Sequence, residues 1–150
     1  MINLNPKEMN LLQDQIKHEE LCIKKYAGFA AGAQDPQLKQ LFEEHKQQEQ
    51  QHLNTLNQLL CGQMPPQQAD SQQSASPSAQ PAPQPFSQED ADMCEDLLAT
   101  EKYVSGTYDT AIFEFRDAGV RQILNHIQKE EQQHGEQIYN YMAANGMYQA

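Results

Sequence analysis

The sequence predicts an all-α protein, a four-helix bundle made of two repeated helical hairpins joined by a long crossover linker. Three observations carry this. Apolar residues recur at alternating steps of three and four through four segments, and no stretch shows the two-residue alternation of a strand. The second half of the chain repeats the first, without a gap, at a constant spacing of 82 residues, the distance from Glu19 to Glu101. At that spacing Asp14 falls on Asp96, Tyr26 on Tyr108, Asp35 on Asp117 and Gln40 on Gln122, and Glu49-Gln50-Gln51-His52 recurs letter for letter as Glu131-Gln132-Gln133-His134. One hairpin cannot bury its own apolar stripe, so the two halves are expected to pack together. Finally, residues 63–86 are rich in Pro, Gln, Ser and Ala without periodicity, a linker long enough to run the length of a bundle.

Each element has a start, a seam and a stop. Asn5 caps the first helix, Pro6 suits its first position and Glu8 stands at the capping-box site, giving a helix over about 6–33. Its expected seam is Leu12, Ile16, Glu19, Ile23, Tyr26 and Ala30. Asp35-Pro36 ends it and caps a second helix over about 36–61, with seam Leu38, Phe42, His45, Glu49, His52, Leu56 and Leu59, closed by Gly62. Residues 1–62 thus form the first hairpin and 87–150 the second, within one bundle domain. Ser87 caps a helix over about 88–115 with Asp90 in its first turn; its expected seam is Cys94, Leu98, Glu101, Ser105, Tyr108, Ile112 and Phe115. Asp117 caps the last helix, over about 118–145, with seam Val120, Leu124, Ile127, Glu131, His134, Ile138 and Tyr141, before Asn145-Gly146.

Composition narrows the functional classes. The 150 residues suffice for one modest core. A formal net charge of −11 argues against nucleic acid and anionic membranes, which bind basic surfaces. No apolar run approaches the roughly 20 residues of a membrane span. Met1 to Pro6 lacks the charged-then-apolar order of a signal peptide, and the three scattered cysteines are those expected of a reducing, intracellular compartment. Cys22, Cys61 and Cys94 form no Cys-x-x-Cys, which disfavours a disulfide framework, a zinc knuckle and a rubredoxin-type iron centre. Cys61, near a helix end, is a thiol available for intermolecular pairing.

Six polar residues interrupt the seams: Glu19, Glu49, His52, Glu101, Glu131 and His134. Glu19 precedes the Asp35 turn by 16 residues and Glu49 follows it by 14. Both therefore sit roughly 21–24 Å from the turn at ~1.5 Å per residue. The same holds for Glu101 and Glu131 about Asp117, so all six are expected in one layer near mid-bundle. Four buried carboxylates left bare would each cost several kcal/mol, order of magnitude. Two divalent cations would cancel them, and two neutral imidazoles would complete the coordination. One Glu from each of two helices plus a Glu-x-x-His from each of the other two is the dinuclear carboxylate pattern. Mixed oxygen and nitrogen donors suit iron first, with manganese or zinc as alternatives. The competing reading is a Glu/His layer hydrogen-bonded without metal. Tyr26 and Tyr108, each seven residues after the lone Glu, are either core tyrosines or hydrogen-bond donors behind the ligands. His45, one turn before Glu49, is read as packing or supporting the site rather than ligating, because its counterpart is Ile127. Cys22, whose counterpart is Val104, is read as core, and His18 and His126 as solvated.

Glu19…Glu49-x-x-His52 and Glu101…Glu131-x-x-His134 resemble the di-iron site of ferritin-like proteins, rubrerythrin most closely. The resemblance implies that Glu49 and Glu131 bridge two metals, with Glu19, His52, Glu101 and His134 each binding one. It implies a peroxidase or ferroxidase that draws electrons from an external donor. Leu97 and Val104 stand where rubrerythrins often place a further Glu, which argues against metal-shifting chemistry. Asp35-Pro-Gln-Leu-Lys-Gln-Leu41 and the closing Tyr139-Asn-Tyr-Met142…Gly146-Met-Tyr148 resemble the spore coat F-like family. That resemblance implies a structural, spore coat or forespore-associated protein in which a metal is a staple or dispensable. The partners it implies are other spore coat proteins or a second copy of the chain in a homodimer. Iron storage would need a cage-forming oligomer.

Overall fold

The computed structural model describes residues 1–66 and 85–148. Most of the linker expected over 63–86 lies outside these residues. The described chain forms four helices and no strand: α1 (Pro6–Gly32), α2 (Pro36–Leu60), α3 (Gln88–Ile112) and α4 (Ala118–Ala144). None is long and apolar enough to cross a membrane.

The helix ends follow local chemistry. Asn5 accepts from the Glu8 amide while the Glu8 carboxylate accepts from the Asn5 amide, both at 2.8 Å, a complete capping box. Asp35, Ser87 and Asp117 cap α2, α3 and α4 by accepting first-turn amides. Gly62 and Gly146 take positive φ (80° and 71°), and the amides of Gln63 and Met147 turn back to the carbonyls of Gln58 and Met142. These are Schellman endings, where a side chain would strain the left-handed residue. α3 stops three residues short of the expected Phe115. Phe115 instead tucks into the core, and the Arg121 guanidinium collects the carbonyls of Phe115 and Arg116 at 2.8 and 2.9 Å.

Two antiparallel hairpins, α1/α2 and α3/α4, pack with α1 against α3 and α2 against α4. Polar contacts fix both ends. At one end the Glu8 carboxylate accepts from the Arg116 amide and guanidinium at 3.0 and 3.1 Å, and Ile2 donates to the Gly62 carbonyl at 2.9 Å. At the other, Asp90 accepts the amides of Gln34 and Asp35 at 2.9 and 3.0 Å, and Tyr141 donates to Asp35 at 2.5 Å. α2 therefore ends, and α3 begins, at opposite ends of the bundle.

The seams of α2 and α4 are those expected, extended on α4 by Ile123 and Met142. On α1 and α3 the expected Leu12, Glu19, Tyr26, Ala30, Cys94, Glu101 and Tyr108 are buried, but the positions between them shift by one residue. Gln15, Cys22, Leu97, Val104 and Ala111 are buried, whereas Ile16, Ile23, Leu98, Ser105 and Ile112 are only partly so. Both helices carry apolar residues on either side of the seam, and the steps through Glu19 and Glu101 run 12, 15, 19, 22, 26 and 94, 97, 101, 104, 108.

Arg116 holds the Glu8 carboxyl down at about 2, against an ordinary 4.5. A carboxyl depressed in the folded state contributes stability above its unfolded value and loses it as pH falls through the folded value. Glu8→Gln is therefore expected to lower Tm by several degrees at neutral pH. The gap to wild type should close near pH 2, read by circular dichroism melts; a gap that stays constant would contradict the pairing.

Candidate metal centre

The cores of all four helices meet in one polar layer. Glu19 comes from α1, Glu49 and His52 from α2, Glu101 from α3, and Glu131 and His134 from α4; each is at most 3% exposed. Their donor atoms form two groups, Glu19/Glu49/His52/Glu131 and Glu49/Glu101/Glu131/His134, each within 4.8 Å. Glu49 and Glu131 belong to both.

The two histidines face the layer with Nδ1. His52 Nδ1 lies 2.9 Å from Glu131 and 3.5 Å from Glu49, and His134 Nδ1 lies 2.9 Å from Glu49 and 3.3 Å from Glu101. The other ring nitrogens are held from behind. His52 Nε2 donates to Glu130 at 3.1 Å, and His134 Nε2 donates to the Gln48 side-chain oxygen. Placing the proton on Nε2 aims the Nδ1 lone pair at the layer.

The tyrosines cross between hairpins. Tyr26 of the first donates to Glu101 of the second at 2.6 Å, and Tyr108 of the second donates to Glu19 of the first at 2.5 Å. Burial and the neighbouring carboxylates push both phenols up, so they remain donors. His45 sits behind only one of these links. Its Nε2 donates to Gln137 at 2.6 Å, its Nδ1 lies 3.2 Å from the Tyr26 oxygen, whose one proton goes to Glu101, and its ring stacks on His134 at 4.1 Å. Burial and the adjacent His134 lower its pKa to about 3, so it is neutral.

The electrostatics of the layer are unbalanced. Burial, with the charges of Glu19 and Glu101, pushes Glu49 well above the carboxylate range; burial, with Glu101 and Glu49, does the same to Glu131. Burial also acts on Glu19 and Glu101, but the neighbouring carboxyl, the facing histidine and the tyrosine hydroxyl outweigh it and hold both low. His52 is raised, because the carboxylates of Glu130, Glu131, Glu19 and Glu49 around its ring overcome its burial. Protons on the two shared carboxyls thus stand in for missing positive charge. Even so, one oxygen each of Glu19, Glu49 and Glu101, both oxygens of Glu131, and His52 Nδ1 are buried without a hydrogen bond. Native interiors rarely leave such atoms unpaired. Their carboxylate-and-imidazole chemistry fits a pair of divalent cations.

Sequence reasoning placed the six residues in this layer and missed Gln48 and Glu130. They precede the repeated tetrapeptide in each half and are themselves repeat counterparts, which was the available signal. His126, expected to be solvated, is only 26% exposed at its side chain and pairs with Glu130 at 3.0 Å. Cys22 is fully buried, and Leu97 and Val104 line the core.

Residues 89–150 match the family model of the Coat F domain. The matched stretch contains Glu101, Glu131, His134 and the closing Tyr139–Tyr148 segment. It does not include Glu19, Glu49, His52 or the Asp35–Leu41 motif. No curated protein and no solved structure matches the chain.

The raised carboxyls set a pH dependence for the metal-free protein. Their bound protons stabilise the fold fully below the ordinary 4.5, and that stability is lost as pH rises through the folded values. After chelation, Tm is expected to fall as pH is raised above the ordinary carboxylate range. Glu49→Gln/Glu131→Gln, which keeps the neutral form, should flatten that slope; an unchanged slope would show that these carboxyls are not the protonated pair.

Proposed function

We propose that this protein is a ferritin-like bundle that binds two divalent metal ions, with iron the expected metal, and that it serves in the spore coat. The observation that carries the metal reading is the pair of buried four-residue groups sharing Glu49 and Glu131. Glu19 and His52 would complete one position, and Glu101 and His134 the other. Four carboxylates and two neutral imidazoles balance two divalent charges, so metal would replace the protons on the shared carboxyls.

Held there as Fe(II), such a pair would supply electrons to peroxide or O₂, with an external donor restoring it. The chain's own residues would set the conditions. Tyr108 and Tyr26 orient Glu19 and Glu101. Leu97, Val104, Ile127 and Leu56 keep bulk water from the layer. His45, neutral, packs edge-on against the Tyr26 ring and would hold that ring in place.

A second reading is a structural coat protein in which metal staples the four helices without turnover. The Coat F domain match over residues 89–150 favours it, since that family model points to the spore coat. Association with other coat proteins follows on either reading.

Ligand linkage separates the site from a metal-free polar layer. Saturating Fe(II) under anaerobic conditions, or Zn(II), should raise Tm of wild type by several degrees, because metal binds only the folded layer. Glu49→Gln removes a shared ligand and should lose most of that rise, whereas Gln51→Ala on the exposed face should keep it. Equal rises in both variants would sink the assignment. Adding peroxide to the Fe(II) form then divides the readings: rapid oxidation at the bound iron supports redox activity, and bound iron inert to peroxide supports the staple.

A further inference from the structure

The hairpins are related by the repeat, yet the residues behind the two histidines differ in charge. Gln48 and Glu130 occupy equivalent positions, each one residue before its Glu-Gln-Gln-His. Each reaches across to the histidine of the other hairpin. Glu130, from the second, accepts from His52 Nε2 at 3.1 Å; Gln48, from the first, accepts from His134 Nε2. The geometry is matched, and the acceptor is a carboxylate in one case and an amide in the other.

We propose that this difference makes the two metal positions unequal, so that the position of Glu19 and His52 fills before that of Glu101 and His134. This rests on the dinuclear reading above. A carboxylate drawing on the Nε2 proton raises electron density at Nδ1, making His52 the stronger donor. The negative charge behind the ring adds attraction for a cation in front of it. His126 Nε2 also faces Glu130, at 3.0 Å. A groove of about 610 Å³ between α2 and α4, lined in part by His52, His126 and Glu130, opens on the same side. His134 lies away from it, 1% exposed beneath His45. Glu130 and Gln48 are thus positioning residues that rank the two sites.

The test is a Zn(II) titration of the chelator-stripped full chain, followed by NMR of labelled histidine rings. In wild type the His52 signals should move over the first equivalent and those of His134 over the second. The two affinities should be separated roughly 10–100-fold, the usual weight of such a hydrogen-bond partner. Glu130→Gln should weaken the first step by that factor and merge the two. Gln48→Glu should strengthen the second step and close the gap from the other side, which decides the matter even if Glu130→Gln does not fold. Both rings moving together in wild type, or His134 moving first, would overturn the ranking and leave the dinuclear site standing. Zn(II) that moves neither ring would overturn both.

Discussion

Four glutamates in one buried layer are the constraint around which this bundle is arranged. Water cannot solvate them there, and each bare charge would cost several kcal/mol, order of magnitude. The surrounding residues supply what a protein can: two tyrosine hydroxyls, two imidazoles, and protons on Glu49 and Glu131. The supply falls short, because buried oxygens on all four glutamates still lack hydrogen bonds. A layer built only for packing would be better served by leucines. The proposed pair of cations would supply the partner these oxygens lack.

The repeat explains how a short chain builds this layer twice over. Each hairpin brings one lone Glu, one Glu-x-x-His and one Tyr, and each completes the other's set. Tyrosines and the residues behind the histidines all reach across the interface between halves. Neither hairpin can form the site alone, so ligand geometry and hairpin docking are one event. The bundle ends reinforce this through Glu8 with Arg116 and through Asp90 with the Gln34–Asp35 turn. Most other positions differ between the halves, and four of the differences lie on or beside the layer: Gln15 against Leu97, Cys22 against Val104, His45 against Ile127, and Gln48 against Glu130.

Much of this was legible in the sequence because helix spacing and the repeat constrain each other. The four helices, their caps and the six-residue layer all follow from counting along the seam. The rest was not legible, for physical reasons. On α1 and α3 apolar residues flank the seam on both sides, so Ile16 and Ile23 competed with Gln15 and Cys22 for the inward position, and packing chose the latter. Gln48 and Glu130 look like any polar residue on a solvated face; only the docked hairpins reveal the histidines they hold. Asp90 reads locally as a first-turn acid, yet it also caps the α1–α2 turn across the bundle. The Coat F match covers the second hairpin, and the repeat carries the same donor pattern into the first.

The most direct measurement is the number of metal ions per chain, by elemental analysis of the protein as isolated and again after anaerobic loading with Fe(II). A cation-balanced layer predicts about two ions per chain with the helices intact. A fully folded chain that holds fewer than about one ion after loading would contradict it, leaving the four glutamates to be held by protons and hydrogen bonds alone.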